Sequence, residues 1–559
     1  MPPETNCPHF DVIVIGAGFA GLHMLQRARG MGLSVKVFEA ATDVGGVWNW
    51  NRYPGARCDV ESLQYSYSFS SELEQEWVWT EKYAAQPEIL RYIQHVADRF
   101  DLRRDITFDT RVQAVVFDEL AGRWKVRTDT GLNASAQYCV MATGALSIPR
   151  LPDLPGIETF TGKIHHTGAW PHEGVDFTGK RVGVIGTGSS GIQVIPAIAK
   201  QAQHLVVFQR TANFSIPAWN GPLEPESQQE WKADYSKHRA RAREFGTLYE
   251  FSDKAASQVS AQVQANEYEW RWRKGGVNFV HAFNDLMVNQ ASNDTIADFV
   301  RAKIRAIVKN PETAEALCPK DHPLGTKRIC VDTGYFETYN RVNVTLVDLK
   351  RTPITQITGN SVRTANASAD AGTNATADAT ASTDFELDAL VCATGYDALT
   401  GAVLSIDIRG RAGQSLQQKW AEGPRTYLGL MTCGFPNLFI ITGAGSPSVL
   451  VNMVVGIEHH VEWICDCITY LRKNGLTTIE ATKAAEDHWV AHVNEAANKT
   501  LFPKANSWFL GANIPGKPRV FMPYVAKIGV YREECQRVAD KGYEGFALKP
   551  AISTELASV

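Results

Sequence analysis

Val12-Ile-Val-Ile15-Gly16-Ala-Gly18-Phe19-Ala20-Gly21 decides the fold at the start of this chain. Four apolar residues make a strand buried on both faces, and the glycines turn the chain at once into a helix. Gly16 allows the tight turn, Gly18 lets backbone approach a pyrophosphate, and Gly21 lets helix and strand pack closely. The helix N-terminus offers its free N–H groups to the anion. The helix runs to about Met31, and Ser34-Val-Lys-Val-Phe38 predicts a second strand ending at Glu39. The pattern recurs downstream. Val182-Gly-Val-Ile185 leads into Gly186-Thr187-Gly188-Ser189-Ser190-Gly191, a helix to about Lys200, and a strand over 205–208 that ends in Gln209-Arg210. Two such units predict two dinucleotides.

The residue at the end of each second strand separates the ligands. Glu39 can accept both hydrogen bonds of a ribose diol and would repel a 2′-phosphate, so the first unit suits FAD or NAD. Arg210 has the opposite charge and suits the 2′-phosphate of NADPH, unless it is only a solvated strand-end cation. FAD with NADPH narrows the chemistry to reduction of a flavin and transfer to an acceptor. A dithiol reductase needs two cysteines beside the flavin, and Cys58 stands alone in its region. Oxygen is the leading acceptor that remains.

At 559 residues the chain predicts two to four domains. A net charge of −4 without a long basic run gives no reason to expect nucleic acid or an anionic membrane as partner. Met1-Pro-Pro-Glu4 has no signal-peptide pattern, and no run of about 18 apolar residues occurs. The expectation is a cytoplasmic enzyme, monomeric or weakly homo-oligomeric, with no metal site. Ten cysteines lack a C-x-x-C spacing, which fits reduced thiols; Cys465 and Cys467 read as small buried hydrophobes.

From about 222 to 322 charges, Gln and aromatic residues rise, and Ala297-Asp-Phe-Val-Arg-Ala-Lys-Ile-Arg-Ala-Ile-Val308 has helical spacing. Strand patterning resumes near 343–347. Residues 361–384 are a low-complexity tract, too poor in large apolar side chains to order itself, which expands a surface hairpin. Its two sequons, Asn366-Ala-Ser368 and Asn374-Ala-Thr376, are expected to go unused. Leu387-Asp-Ala-Leu-Val-Cys-Ala-Thr394-Gly395-Tyr396-Asp397 resembles the earlier Tyr138-Cys-Val-Met-Ala142-Thr143-Gly144; each is an apolar strand closing on Ala-Thr-Gly. Residues 437–445 read as a further buried strand and 449–472 as a long helix. The predicted fold is α/β, with two Rossmann-like dinucleotide-binding domains and a helical insertion. Its segments are 1–145 and 386–559 for FAD, 146–217 and 326–385 for NADPH, and 218–325 for the insertion.

Two further motifs carry a family resemblance. Phe160-Thr-Gly162-Lys-Ile-His-His166-Thr-Gly-Ala-Trp170-Pro171 joins the two glycine loops, and Gly45-Gly46-Val47-Trp48-Asn-Trp-Asn-Arg-Tyr53-Pro54-Gly55-Ala-Arg-Cys-Asp59 follows the first. With both loops, they make the chain resemble the Baeyer–Villiger monooxygenases over most of its length, close to the phenylacetone, steroid and cyclic-ketone group. The resemblance implies that NADPH-reduced flavin reacts with oxygen at C4a. The peroxyflavin anion then attacks a ketone, and a Criegee adduct rearranges to an ester or lactone.

By the same resemblance Arg328 is the charge that stabilises peroxyanion and adduct, Asp59 orients it, and Lys327 joins Arg210 at the 2′-phosphate. Gly46, Val47, Trp48, Tyr53, Tyr65, Gln193 and Thr211 are further cofactor candidates, with Trp48 and Tyr53 on or near the isoalloxazine; Asp397 is another. Ala145, Leu146, Ser448, Val449, Leu450 and Met453 are the ketone-pocket candidates, Met453 one helical turn on from Leu450. Trp508 would close over NADP and substrate. His166 reads as an orienting hydrogen-bond donor in an interdomain linker, with Trp170 and Pro171 stiffening the hinge. Flavin-dependent N- or S-oxygenation is the alternative reaction. A redox-inactive NADPH-binding protein is the alternative from another class.

Overall fold

The computed structural model describes residues 7–366 and 382–550. In the first unit the strand His9–Ile15 pairs in parallel with Val35–Phe38 on one side and Asn133–Met141 on the other. Val12, Ile13 and Val14 are fully buried, as an unbroken apolar run in a covered parallel sheet requires. The ladder stops at Ile15, opposite Phe38 and Met141. Gly16 therefore stands at the carboxyl end of the sheet, where α/β folds place ligands. Asn133–Met141 also ends an antiparallel meander with Val112–Asp118 and Arg123–Thr128. Leu438–Ile440 returns from far along the chain to pair with it, and the helix Met453–Lys473 packs on Phe19–Gly30.

The second unit is a five-stranded parallel sheet in the order Val344–Asp348, His204–Gln209, Arg181–Ile185, Ala389–Cys392, Lys163–His166. Ala389–Cys392 corrects the expected boundary at 386, because this strand lies inside the second sheet. The physical reason is that each Ala-Thr-Gly closes the glycine turn of its own unit. A Cβ on Gly16 (φ +104°) would lie 2.6 Å from the Ala142 carbonyl oxygen, and one on Gly186 (φ +106°) would lie 2.5 Å from that of Ala393. The middle of the His/Trp segment is likewise not a free hinge. Lys163–His166 is the edge strand of this sheet.

The insertion contains the helices Pro225–Ala233, Tyr235–Phe245, Ala261–Lys274, Gln290–Ile307 and Pro311–Leu317. Gln290–Ile307 buries Ile296, Ala297, Val300 and Ile304 along one face, the stripe that its spacing predicts. Where the chain enters and leaves this region, Ser215–Pro217 and Cys330–Asp332 pair in parallel and form a clasp.

Three local readings change. Ser361–Ala365, at the start of the low-complexity tract, and Ser382–Glu386, which runs past its end at 384, are ordered by antiparallel pairing as hairpin arms; the 374–376 sequon lies outside the described residues, and the 366–368 sequon extends beyond them. The strand expected over 437–445 is regular only at Leu438–Ile440. The long helix begins at Met453, not 449, because the Asn452 side chain caps it by accepting from the Val454 N–H. Ser448–Leu450 is a separate 3-10 turn, so Leu450 and Met453 do not share a helix. Among the described residues no helix is long and apolar enough to cross a membrane.

Candidate active site

The first glycine loop and the fingerprint loop lie backbone against backbone. A Cβ on Gly18 would sit 3.3 Å from the Gly46 Cα, and the Gly45 N–H donates to the Ala17 carbonyl at 3.0 Å. Gly21 packs closer still, since a Cβ there would meet the Gly16 carbonyl oxygen at 1.8 Å. Phe19 and Ala20 are buried in the first turn of the helix. Glu39 is buried at the strand end, where its two carboxylate oxygens accept from the Ala17 and Ala41 N–H groups at 2.6 and 2.8 Å. Burial pushes its acidity down and these amides oppose that effect. Each oxygen keeps a lone pair, so the group can still accept from a ribose diol.

Trp48 follows Val47 and donates from Nε1 to the Tyr65 hydroxyl at 3.2 Å. Tyr53 joins the two units. Its ring is buried in the core of the second unit, and its hydroxyl donates to Gln193 Oε1 at 2.7 Å. Gln193 Nε2 in turn donates to the Arg57 carbonyl at 3.0 Å. The Gln193 amide is therefore engaged in a clamp between the fingerprint and the second unit.

The second glycine loop separates packing from ligand space. A Cβ on Gly191 would lie 2.3 Å from the Gly186 carbonyl oxygen, whereas one on Gly188 would meet nothing within 4 Å. Packing explains Gly191; at Gly188 it leaves open space over the loop that fits a pyrophosphate. Around it, Thr187 donates to the Thr211 carbonyl at 3.0 Å, Ser190 lies 3.0 Å from the linker's Thr167, and Ser189 lies 3.5 Å from Cys330 Sγ. Burial and the Arg210 charge both lower the Lys327 pKa, and neither cation has an ion pair among the described residues. Asp321 partly offsets this lowering, and two like charges with no direct ion pair suit an anion between them.

Arg328 comes from the exit of the insertion and Asp59 from the end of the fingerprint, 269 residues away. Nε and Nη2 of Arg328 donate to the two Asp59 oxygens at 2.8 and 2.7 Å, and Nη1 donates to the Val449 carbonyl at 2.6 Å. Burial works against the Arg328 charge, but Asp59 raises its pKa above the usual arginine value. A guanidinium has five N–H donors, so two remain, and 27% of the side chain is accessible.

Ala145, Val449, Leu450, Met453 and Trp508 meet in one apolar cluster. Leu146 is half-buried outside it. Ser448 is buried with φ +43°, a conformation costly for a non-glycine residue, and its hydroxyl donates to the Thr442 carbonyl. The cluster also includes Met287 from the insertion, which the sequence reading missed. Helical spacing marks the insertion as helical but says nothing about which of its residues reaches another unit.

In the linker, the Gly168 N–H donates to His166 Nδ1 at 2.9 Å, which leaves Nε2 as the donor. Burial lowers the His166 pKa and so favours the uncharged ring, while backbone hydrogen bonds act the other way. Trp170 is buried against His165 and Phe177, and Pro171 follows it to the surface. Phe160 is buried against the second sheet, and Gly162 leaves no room for a side chain, since a Cβ would lie 2.5 Å from the Asp388 carbonyl oxygen.

Comparison with known proteins assigns this arrangement. Residues 10–219 match the family described as flavin-binding monooxygenase-like. Over 97% of its length the chain is 43% identical to a Baeyer–Villiger monooxygenase of Pseudooceanicola batsensis, covering 96% of that protein. This chain is a Baeyer–Villiger monooxygenase by family. Its structure is also similar to that of an oxidised steroid monooxygenase bound to NADP, with a TM-score of 0.90 and 53% identity over 97% of this chain and 99% of that one. A phenazine N-monooxygenase of Lysobacter antibioticus is 42% identical over 99% of this chain and 100% of that protein.

As a Baeyer–Villiger monooxygenase the protein uses FAD and NADP(H), and the two glycine cradles fit them. Replacing Arg210 by Ala is expected to lower the NADPH-over-NADH preference by about one to two decades, the loss of one charge-assisted hydrogen bond. The ratio of kcat/KM for the two coenzymes measures it; an unchanged ratio removes Arg210 from the 2′-phosphate site.

Proposed function

We propose that the enzyme inserts one oxygen atom beside the carbonyl of an apolar ketone: ketone, O2, NADPH and a proton give ester or lactone, water and NADP. The observation that carries this reading is the Arg328 guanidinium, fixed on three acceptors with two donors left over, beside an apolar cluster. Bound FAD, once reduced by NADPH, supplies the activated oxygen. Arg328 stabilises the negative charge that develops at the reacting centre and gives up no proton to it. Asp59 fixes the plane of the guanidinium through a bidentate contact. Ala145, Val449, Leu450, Met453, Trp508 and Met287 offer the ketone an apolar surface and keep water from the charge. Neutral His166, held by backbone, orients the linker and needs no role as a base.

Oxygenation of nitrogen is the second reading, favoured by the name of the Lysobacter relative. Supplying NADPH with a cyclic ketone and, separately, with an amine discriminates between them. The expected result is lactone in step with NADPH consumed. N-oxide without lactone would overturn the proposal, and sulfoxide decides nothing because both activities form it.

A further inference from the structure

We infer that Asp397 and Lys517 form a latch that holds the Trp508 turn over the apolar cluster, and that Tyr396 ties this latch to the linker and the fingerprint. The turn Trp508–Leu510 continues into residues 511–519, which have no helix or strand. Among the described residues, hydrogen bonds from 511–519 to chain outside the loop come from two side chains. Asn513 Nδ2 donates to the Tyr396 carbonyl at 2.8 Å, and Lys517 Nζ donates to the Ala398 carbonyl at 2.9 Å and to Asp397 at 2.5 Å. Only 12% of the Lys517 side chain is accessible, so the pair is shielded more than a surface ion pair. Asp397 packs closely on the Gly401 backbone, where a Cβ would lie 2.6 Å from its Cγ.

Tyr396 connects this anchor to two other parts. Its hydroxyl donates to Asn51 Oδ1 of the fingerprint at 2.9 Å. Its ring meets His166 edge-on at 6.0 Å and fills the space over Gly168, where a Cβ would come within 2.6 Å of it. One five-residue stretch, 394–398, thus touches the fingerprint, the linker and the Trp508 loop. Tyr396, Asp397 and Lys517 are positioning residues: they act on the reaction through Trp508. What the latch protects, an oxygenation site kept from water, rests on the function proposed above.

Hydrogen–deuterium exchange of residues 507–519 in the holoenzyme with NADP bound tests the latch without reference to product. Lys517→Met, which removes both hydrogen bonds of the ammonium, and the isosteric Asp397→Asn, which removes the charge of its acceptor, are each expected to raise exchange at least about tenfold. The double variant should not exceed Lys517→Met, and Lys517→Arg should remain near wild type. With ketone present, the single variants should release a larger share of NADPH-derived electrons as peroxide. Unchanged exchange in both single variants, or additive effects in the double, would overturn the latch. Raised exchange in an enzyme that forms no ester even as wild type would uphold the latch and refute the reaction. Should Lys517→Met fail to fold, Asp397→Asn alone still decides.

Discussion

Replacing Arg328 by Ala is expected to lower ester formation by about three decades while NADPH still reduces the flavin. A unit charge about 4 Å from an anion is worth ~4 kcal/mol at an effective dielectric of ~20, and each ~1.4 kcal/mol is tenfold in rate. The loss is compounded, because Asp59 would be left without its partner beside the centre where negative charge develops. Single-turnover reduction should persist, and the electrons should leave as peroxide. Arg328→Lys should recover only part of the activity, since an ammonium cannot span both Asp59 oxygens and the Val449 carbonyl in the same plane. Ester formed by Arg328→Ala at the wild-type rate would refute the role assigned to this residue.

Gly188→Ala is expected to leave the fold intact and to raise the KM for NADPH by about a hundredfold. Gly188 has φ −81° in an extended conformation that alanine adopts readily, and its Cβ would meet no protein atom within 4 Å. The melting temperature should stay within about 2 °C of wild type, the change expected of well under 1 kcal/mol. The methyl group would instead occupy the approach to a pyrophosphate and remove about two charge-assisted contacts. Gly191→Ala is the contrasting control: its Cβ at 2.3 Å from the Gly186 carbonyl forces helix and strand apart, so stability itself should fall. A Gly188→Ala enzyme with normal melting and a normal KM would mean that the second loop holds no dinucleotide.

The glycine loops were legible in the sequence because their requirements are local: a positive φ, a close carbonyl, an open helix end. Glu39 was legible for the same reason, although its two backbone amides were not. The Arg328–Asp59 pair spans 269 residues, and no spacing rule reaches that far; only the resemblance pointed to it. The contact between Tyr53 and Gln193 was not legible, because a motif does not say which neighbour its side chains face, and here they meet across two units. The boundary at 386 failed because the two Ala-Thr-Gly strands look alike. Their likeness was itself the signal, since each covers the glycine turn of its own sheet. Met287 had no signal at all: its place in the cluster depends on how the insertion docks.

The parallel clasp of Ser215–Pro217 and Cys330–Asp332 has a consequence for how such an enzyme can diverge. It pins both ends of the insertion to one another, two residues from Arg328. Exposed stretches of the insertion between those ends can then lengthen or shorten, shifting the wall that Met287 contributes, while the arginine stays registered against Asp59. One wall of the apolar cluster and the carboxylate that fixes the guanidinium thus lie on different lengths of chain, while the rest of the cluster lies outside the insertion.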